Sequence, residues 1–280
     1  MPLPGRERIY VELMLGKLRK LFANPTPAQK PSLPHRERVY AIGDIHGRLD
    51  LFETLLETIK NDEAARGPAQ TTLVLLGDLI DRGQDSAGVL ARARQLSSER
   101  HVEILCGNHE EMLLTSLEDS TALRSFLRFG GLETLASYGL APETVADMEI
   151  DEVRDAARRH IPEQDLEFIR SFRKLVRIGD YIFVHAGLRP GVPIETQLGS
   201  DCRWIREPFL SHTGNFGGFV VHGHTITEEP DERDNRLGID TGAYVHGTLT
   251  AVGIEGTERW YLTAEDGTHE NHQTGATVAA

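Results

Sequence analysis

The sequence predicts an α/β domain, a central two-sheet β-sandwich flanked by helices and carrying a helical cap insertion. Three observations lead there. Short apolar runs alternate with helical periodicity through residues 39–106, and each run ends in Gly-Asp or Gly-Asn. Residues 109–173 then carry mainly helical spacing. From Lys174 onward strand-like runs return one after another.

Residues 1–35 read as an extension. Ile9, Leu13, Leu15, Leu18, Leu21 and Phe22 fit one face of a short helix, with Lys17, Arg19 and Lys20 nearby. Pro25, Pro27, Pro31 and Pro34 then mark a linker. A basic amphipathic start suits contact with an anionic membrane surface. The preferred reading is a plain tail, or an upstream extension before a true start at Met14.

The main domain is read as residues 36–264. Val39–Ile42 and Leu73–Leu76 are strand signals, and Val102–Cys106 is a third. Leu49, Phe52, Leu55, Leu56 and Ile59 recur at helical spacing between the first two, and Val89, Leu90 and Leu96 between the next two. Strand–helix units in series predict a parallel or mixed sheet. Residues 109–173 are assigned to a cap over one sheet edge. The later runs are Leu175–Ile178, Tyr181–Val184, Phe219–Val221, Leu237–Ile239, Leu249–Ile254 and Trp260–Leu262, which supply a second sheet. Residues 265–280 are polar and small and read as a disordered tail.

Composition narrows the function. A net charge of -13 argues against a dedicated nucleic-acid binder, which needs clustered Lys and Arg for its phosphate contacts. It leaves room for a small anion in a locally positive pocket. With only Cys106 and Cys202 present, a disulfide scaffold is excluded and a cytoplasmic setting is expected. No apolar run has the length of a membrane span, and the first residues lack the features of a secretory signal.

Chemistry-bearing residues cluster at the carboxyl ends of these strands, where open α/β sheets place ligands. The clusters are Gly43-Asp44-Ile45-His46-Gly47, Gly77-Asp78-Leu79-Ile80-Asp81-Arg82-Gly83, Gly107-Asn108-His109-Glu110, His185-Ala186-Gly187 and His222-Gly223-His224-Thr225. Asp44 and His46 stand two apart, so in extended chain they face one side and can share an ion. This O/N donor mixture suits Mn, Fe or Zn better than Ca. Taken singly, each cluster has a plainer explanation: a hydrogen-bonded turn at Asp44–His46, a strand-end turn at Asp78, a helix cap at Asn108–His109.

Together, in this order and spacing, the clusters resemble the calcineurin-like metallophosphoesterases, specifically the bacterial PPP-type serine/threonine protein phosphatases. The ending Ile239-Asp240-Thr241-Gly242-Ala243 is similar too, and the likeness covers roughly residues 37–262. The resemblance implies two divalent metal ions per chain, with Mn2+ the first choice and Fe or Zn the others. Asp44 and His46 would bind one metal, Asp78 would bridge, and Asn108, His185 and His224 would complete the second. Many other metallophosphoesterases carry a further histidine two positions beyond that last ligand, and here the residue is Ile226. In the PPP-type branch water fills that place.

The resemblance also assigns catalytic roles. His109 would be the general acid, Asp81 would orient its ring and favour the imidazolium, and Arg82 would hold phosphate. The plain alternative for Asp81 and Arg82 is a surface ion pair. Arg206 is the candidate second phosphate clamp, with Arg203 competing. His222 and His246 have no assigned chemistry. His35, His101, His160, His212, His269 and His272 read as surface residues, and Cys106 as a buried small hydrophobe.

The implied reaction is direct attack on phosphorus by a hydroxide activated between the metals, which lie roughly 3.5–4 Å apart in such centres. The implied substrates are phosphoserine and phosphothreonine proteins, or small phosphate esters. The alternatives are a symmetrical diadenosine-tetraphosphate hydrolase, and a phosphate-binding module without activity.

Overall fold

The computed structural model describes residues 30–267. The expected amphipathic start and most of the Pro-rich linker fall outside these residues, as do His269, His272 and nearly all of the expected tail.

Three parallel strands, β1 (Glu37–Ile42), β2 (Gln70–Leu75) and β3 (Val102–Ile104), are joined by crossover helices α1 (Leu49–Arg66) and α2 (Ser86–Glu99). The start of α2 is set by Asp85, whose carboxylate accepts from the Gly88 backbone N–H at 2.7 Å. Two late strands return to the same sheet. β9 (Thr248–Glu255) runs antiparallel to β1, and β10 (Glu258–Glu265) pairs with β9, giving the order β10-β9-β1-β2-β3.

The second sheet is built from β4 (Leu175–Ile178), β5 (Tyr181–Val184), β6 (Phe219–His222), β7 (Asp231–Glu232) and β8 (Arg236–Gly238), in the order β4-β5-β6-β8-β7. Its central strands β5, β6 and β8 are parallel. The expected mixed sheets and sandwich are therefore present.

Period-two alternation explains the layering. Val39, Ala41, Val74 and Leu76 point towards Val176, Phe183, Val221 and Leu237 of the second sheet and form the inter-sheet core. The intervening Tyr40, Ile42, Leu73 and Leu75 point the other way, onto Phe52, Leu55, Val89 and Leu90 of the helices. Burial on both faces makes these strands continuous apolar runs instead of alternating ones. Each fully buried Leu, Ile or Phe contributes about 1.5–3 kcal/mol. On the outer face of the second sheet, Ile182, Val184 and Val220 pack against Cys202 of α9 (Gly199–Trp204) and against Phe209.

Residues 108–170 are helical, in α3 (Asn108–Ser116), α4 (Ser120–Phe126), α5 (Leu132–Ser137), α6 (Pro142–Ala146), α7 (Ile150–His160) and α8 (Glu163–Arg170). Leu113, Phe126, Leu135, Val153 and Ile169 share one core with α1 and α2. A single π-turn, Leu127–Gly131, joins α4 to α5, with Gly130 at φ 110°. Only glycine adopts that conformation at low cost. The bend turns the Gly130 carbonyl towards the Arg82 N–H, 2.9 Å away.

Two boundaries differ from the sequence expectation. Pro31–Pro34 are not linker: Leu33 is buried, its N–H donates to Gly256 O at 2.9 Å, and Tyr181 OH donates to Pro31 O. The compact unit accordingly begins at Pro31. β3 ends at Ile104: Leu105 still donates to Leu75 O but also bridges to Arg173, whose carbonyl accepts from the half-buried Cys106. Among the described residues, no helix is long and apolar enough to cross a membrane.

Candidate active site

Both sheets deliver loops to one rim of the sandwich. Beyond β1 lie Asp44 and His46, beyond β2 Asp78, and after β3 Asn108 opens α3. From the other sheet, β5 presents His185, β6 His224 and β8 Asp240. All are carboxyl-end positions, the usual ligand side of such sheets.

The backbone at this rim is unusual. Among the described residues, the non-glycine positions with positive φ are Arg36, His46, Asp78, Asp81, Arg82 and His224. All but Arg36 belong to the site. Left-handed conformation at such residues costs on the order of 1 kcal/mol or more, and persists where surrounding contacts impose it. Two glycines permit close approach: a Cβ on Gly107 would collide with the Asp78 carboxylate, and one on Gly223 with that of Asp44.

The donor atoms converge. The Nδ1 atoms of His46 and His185 each lie 2.9 Å from a backbone carbonyl, of Ile80 and Leu76. A carbonyl only accepts, so Nδ1 carries the proton and Nε2 presents a lone pair towards Asp78. His185 Nε2 is 2.9 Å from Asn108 Oδ1 and 3.5 Å from Asp78 Oδ2. His46 Nε2 is 3.7 Å from the same Asp78 oxygen. Asp44 Oδ2 accepts from the His224 N–H at 3.0 Å. Asp44 Oδ1 and His224 Nε2 have no hydrogen-bond partner among the described residues.

Lone pairs facing one another in a buried space repel, and cations between them remove the repulsion. The donor set thus fits a pair of cations. Asp78 belongs both to a group with His185 and His224 and to one with His46 and His109, the ligand atoms of each group lying within 4.8 Å of one another.

Electrostatics agree with that fit. Burial pushes His185 down to about 3, and burial together with His185 pushes His224 down to about 2, so both rings are neutral and ready to ligate. Burial raises the Asp44 carboxyl well above its ordinary value, with Asp240 and then Asp78 adding to the effect. Burial likewise raises Asp240 to about 6. Arg82 offsets only part of this effect at Asp240.

Beside the donors stands a second group. His109 Nδ1 donates to Asp81 Oδ2 at 2.6 Å, and Thr134 Oγ1 donates to Asp81 Oδ1 at 2.6 Å. Asp81 is fully buried and serves His109, which removes the surface ion-pair alternative. Burial holds the His109 ring below its ordinary value, with Asp78 pulling the other way. Arg82 Nη2 donates to His109 Nε2 at 3.2 Å, and Arg82 Nη1 donates to Tyr244 OH. Arg206 lines the cavity just beyond α9, outside any helix. Arg203 is taken up by Glu111 instead. The structure thus brings Arg206, and not Arg203, to the site.

Sequence reasoning left several contributors without a role. Glu110 accepts from the N–H groups of Asp78, Leu79 and Gly107 at 2.7–3.0 Å and so ties two site loops together. Tyr244 steadies Arg82 and packs edge-on to His46. Phe129 and Trp204 line the cavity while remaining largely exposed. Glu110 and Asp240 lay inside quoted motifs; Thr134 and Phe129 carried no local signal. His222 is buried against Phe209 and does not line the cavity, and His246 faces the Thr241 carbonyl.

Comparison with known proteins gives a consistent picture. The sequence profile of the calcineurin-like phosphoesterase family matches residues 37–241. Serine/threonine-protein phosphatase 1 of Salmonella typhimurium is 31% identical over 222 residues, 78% of this chain and 92% of that protein. A symmetrical bis(5'-nucleosyl)-tetraphosphatase of Acidovorax sp. (strain JS42) is 32% identical over 180 residues, 63% of this chain and 49% of that protein. Among solved structures, one described as a diadenosine tetraphosphatase superposes with a TM-score of 0.58 at 21% identity, covering 86% of this chain and 97% of that one. This last likeness concerns the fold alone.

Proposed function

Because the chain belongs to the calcineurin-like phosphoesterase family and is a hydrolase, we propose that it is a metal-dependent phosphomonoesterase acting on phosphoserine and phosphothreonine proteins. One observation carries the reading: Asn108, Asp78 and His46 line a cavity together with Arg82 and Arg206, and the buried His185 turns its lone pair to Asn108 and Asp78 behind them. The similarity over nearly the full length of a bacterial serine/threonine phosphatase supports the choice of substrate.

In this proposal Asp44, His46 and Asp78 would hold one cation, and Asp78, Asn108, His185 and His224 would hold the other. Mn2+ is the proposed ion, since the mixed O/N donors are of a kind it accepts. Bound cations would supply an activated water and positive charge for the phosphoryl oxygens. Arg82 and Arg206 clamp those oxygens through their planar donor forks. An anion arriving beside His109 draws Arg82 to itself and favours protonation of the freed Nε2. His109 then donates that proton to the leaving oxygen, while Asp81 and Thr134 keep the ring aligned. The proposed setting is the cytoplasm, in keeping with two free thiols.

A second reading is hydrolysis of dinucleoside polyphosphates. It is favoured by Phe129 and Trp204, exposed rings at the cavity mouth on which a base could stack. The test is to assay the purified protein with Mn2+, then with EDTA. p-Nitrophenyl phosphate, a phosphoserine peptide and diadenosine tetraphosphate are offered in parallel. Mn2+-dependent turnover with preference for the peptide is expected. Preference for the dinucleotide would replace the first reading by the second, and no turnover of any substrate would defeat both.

A further inference from the structure

Asp240 is a buried carboxylate in the cavity with no task in the scheme above. It is 2% exposed and lines the space with Asp44, His46, His224 and Ile226. Its Oδ1 accepts one hydrogen bond, from the Gly242 N–H of its own turn at 3.1 Å.

That turn lies against two other parts of the site. The Asp240 carbonyl accepts from Thr227 N–H at 3.0 Å, and a Cβ added to Gly242 would stand 3.1 Å from the Ile226 Cγ2 methyl. The turn therefore packs on the segment of Ile226, whose side chain lines the cavity but offers no donor atom. On its other side, a Cβ added to Gly43 would lie 3.6 Å from the Asp240 Cα, which sets Asp240 beside the residue preceding Asp44. Asp44 Oδ1, wholly buried, has no hydrogen-bond partner among the described residues.

Two carboxylates buried side by side repel unless positive charge joins them. Apart from the Gly242 N–H of its own turn, the group that meets the Asp240 side chain is the Asp44 carboxyl. We propose that Asp240 supplies a further carboxylate to the cation held by Asp44 and His46, on the side of the cavity where Ile226 offers no ligand. This rests on the two-cation reading and adds to it a residue that the ligand set above does not contain.

The experiment compares cation-free wild type with Asp240→Asn, which keeps the side-chain shape and an acceptor for Gly242. Mn2+ binding is followed by titration calorimetry, and melting temperature is measured with and without Mn2+. Wild type is expected to take up two Mn2+ per chain. Asp240→Asn is expected to keep one at unchanged affinity and to bind the other at least tenfold more weakly. Without cation the variant should melt no lower than wild type, since one of two repelling carboxylates is gone. Its gain in melting temperature on adding Mn2+ should be smaller. Asp240→Ser is the second variant, carrying the same expectation should the Asn form not fold. Two Mn2+ bound at wild-type affinity by a folded variant would overturn the role of Asp240 and leave the two-cation reading standing. A wild-type protein that bound no Mn2+ would overturn both.

Discussion

His109 and Asp81 form a buried pair, Nδ1 to Oδ2 at 2.6 Å, whose geometry leaves one ring nitrogen turned to the cavity. Asp81 has no solvent contact, and its other oxygen is occupied by Thr134. The pair has one orientation available to it, as a proton donor to a leaving group requires.

His109→Ala should therefore act selectively. On an alkyl phosphate or phosphoserine peptide, kcat should fall on the order of 10²-fold or more, the usual contribution of a positioned acid. On p-nitrophenyl phosphate, whose leaving group needs little protonation, the loss should be much smaller. Steady-state kinetics on the two substrates check this, and equal losses would remove His109 from the acid role.

Asp78 touches both donor groups, so Asp78→Ala should empty the centre more thoroughly than a change at any other donor. Metal content after gel filtration should fall from about two Mn2+ per chain towards zero. Activity should fall with it. Retention of two ions by the variant would contradict the shared position of Asp78.

Gly223→Ala tests the packing behind the donors. The added methyl meets the Asp44 carboxylate, so that carboxylate must move. Mn2+ affinity should drop by about 10–100-fold, the range seen when ligand-orienting contacts are lost. The fold should survive, since the clash falls at the rim of the sandwich. Calorimetric titration together with circular dichroism separates the two effects.

Glu110→Gln should destabilise the protein without touching a donor atom. Both carboxylate oxygens accept from backbone N–H groups, and an amide would set its NH2 against at least one of them. A buried donor left unmatched costs about 1–3 kcal/mol. Chemical denaturation of the cation-free protein should show that loss, and unchanged stability would mean that the loops hold without Glu110.

Much of this arrangement was legible beforehand, for identifiable reasons. β4 and β5 were bounded correctly because apolar runs flank Gly179-Asp180, a clear turn signal. The site clusters stood out because strand ends concentrate polar residues after apolar ones. β7 escaped notice, since Asp231–Glu232 is a two-residue polar edge strand without an apolar face. Leu105 and Cys106 looked like strand because pairing with Arg173 depends on a residue distant in sequence. Thr134 could not be connected to Asp81 for a similar reason: a π-turn around Gly130 brings α5 to the site, and no short-range pattern encodes where it lands. Arg206 was separable from Arg203 only once Glu111 was seen to occupy the latter.

The strand order has a consequence for synthesis. β1 lies between β2 and β9, and β9 is in turn sheltered by β10, so the first sheet is finished by residues 248–265. A nascent chain emerging from the ribosome would expose an open β1 edge until those residues appear. Its loops would be held in register only after residues 248–265 have been made. Truncation before Thr248 should thus abolish the centre even though each donor residue it uses has already been translated.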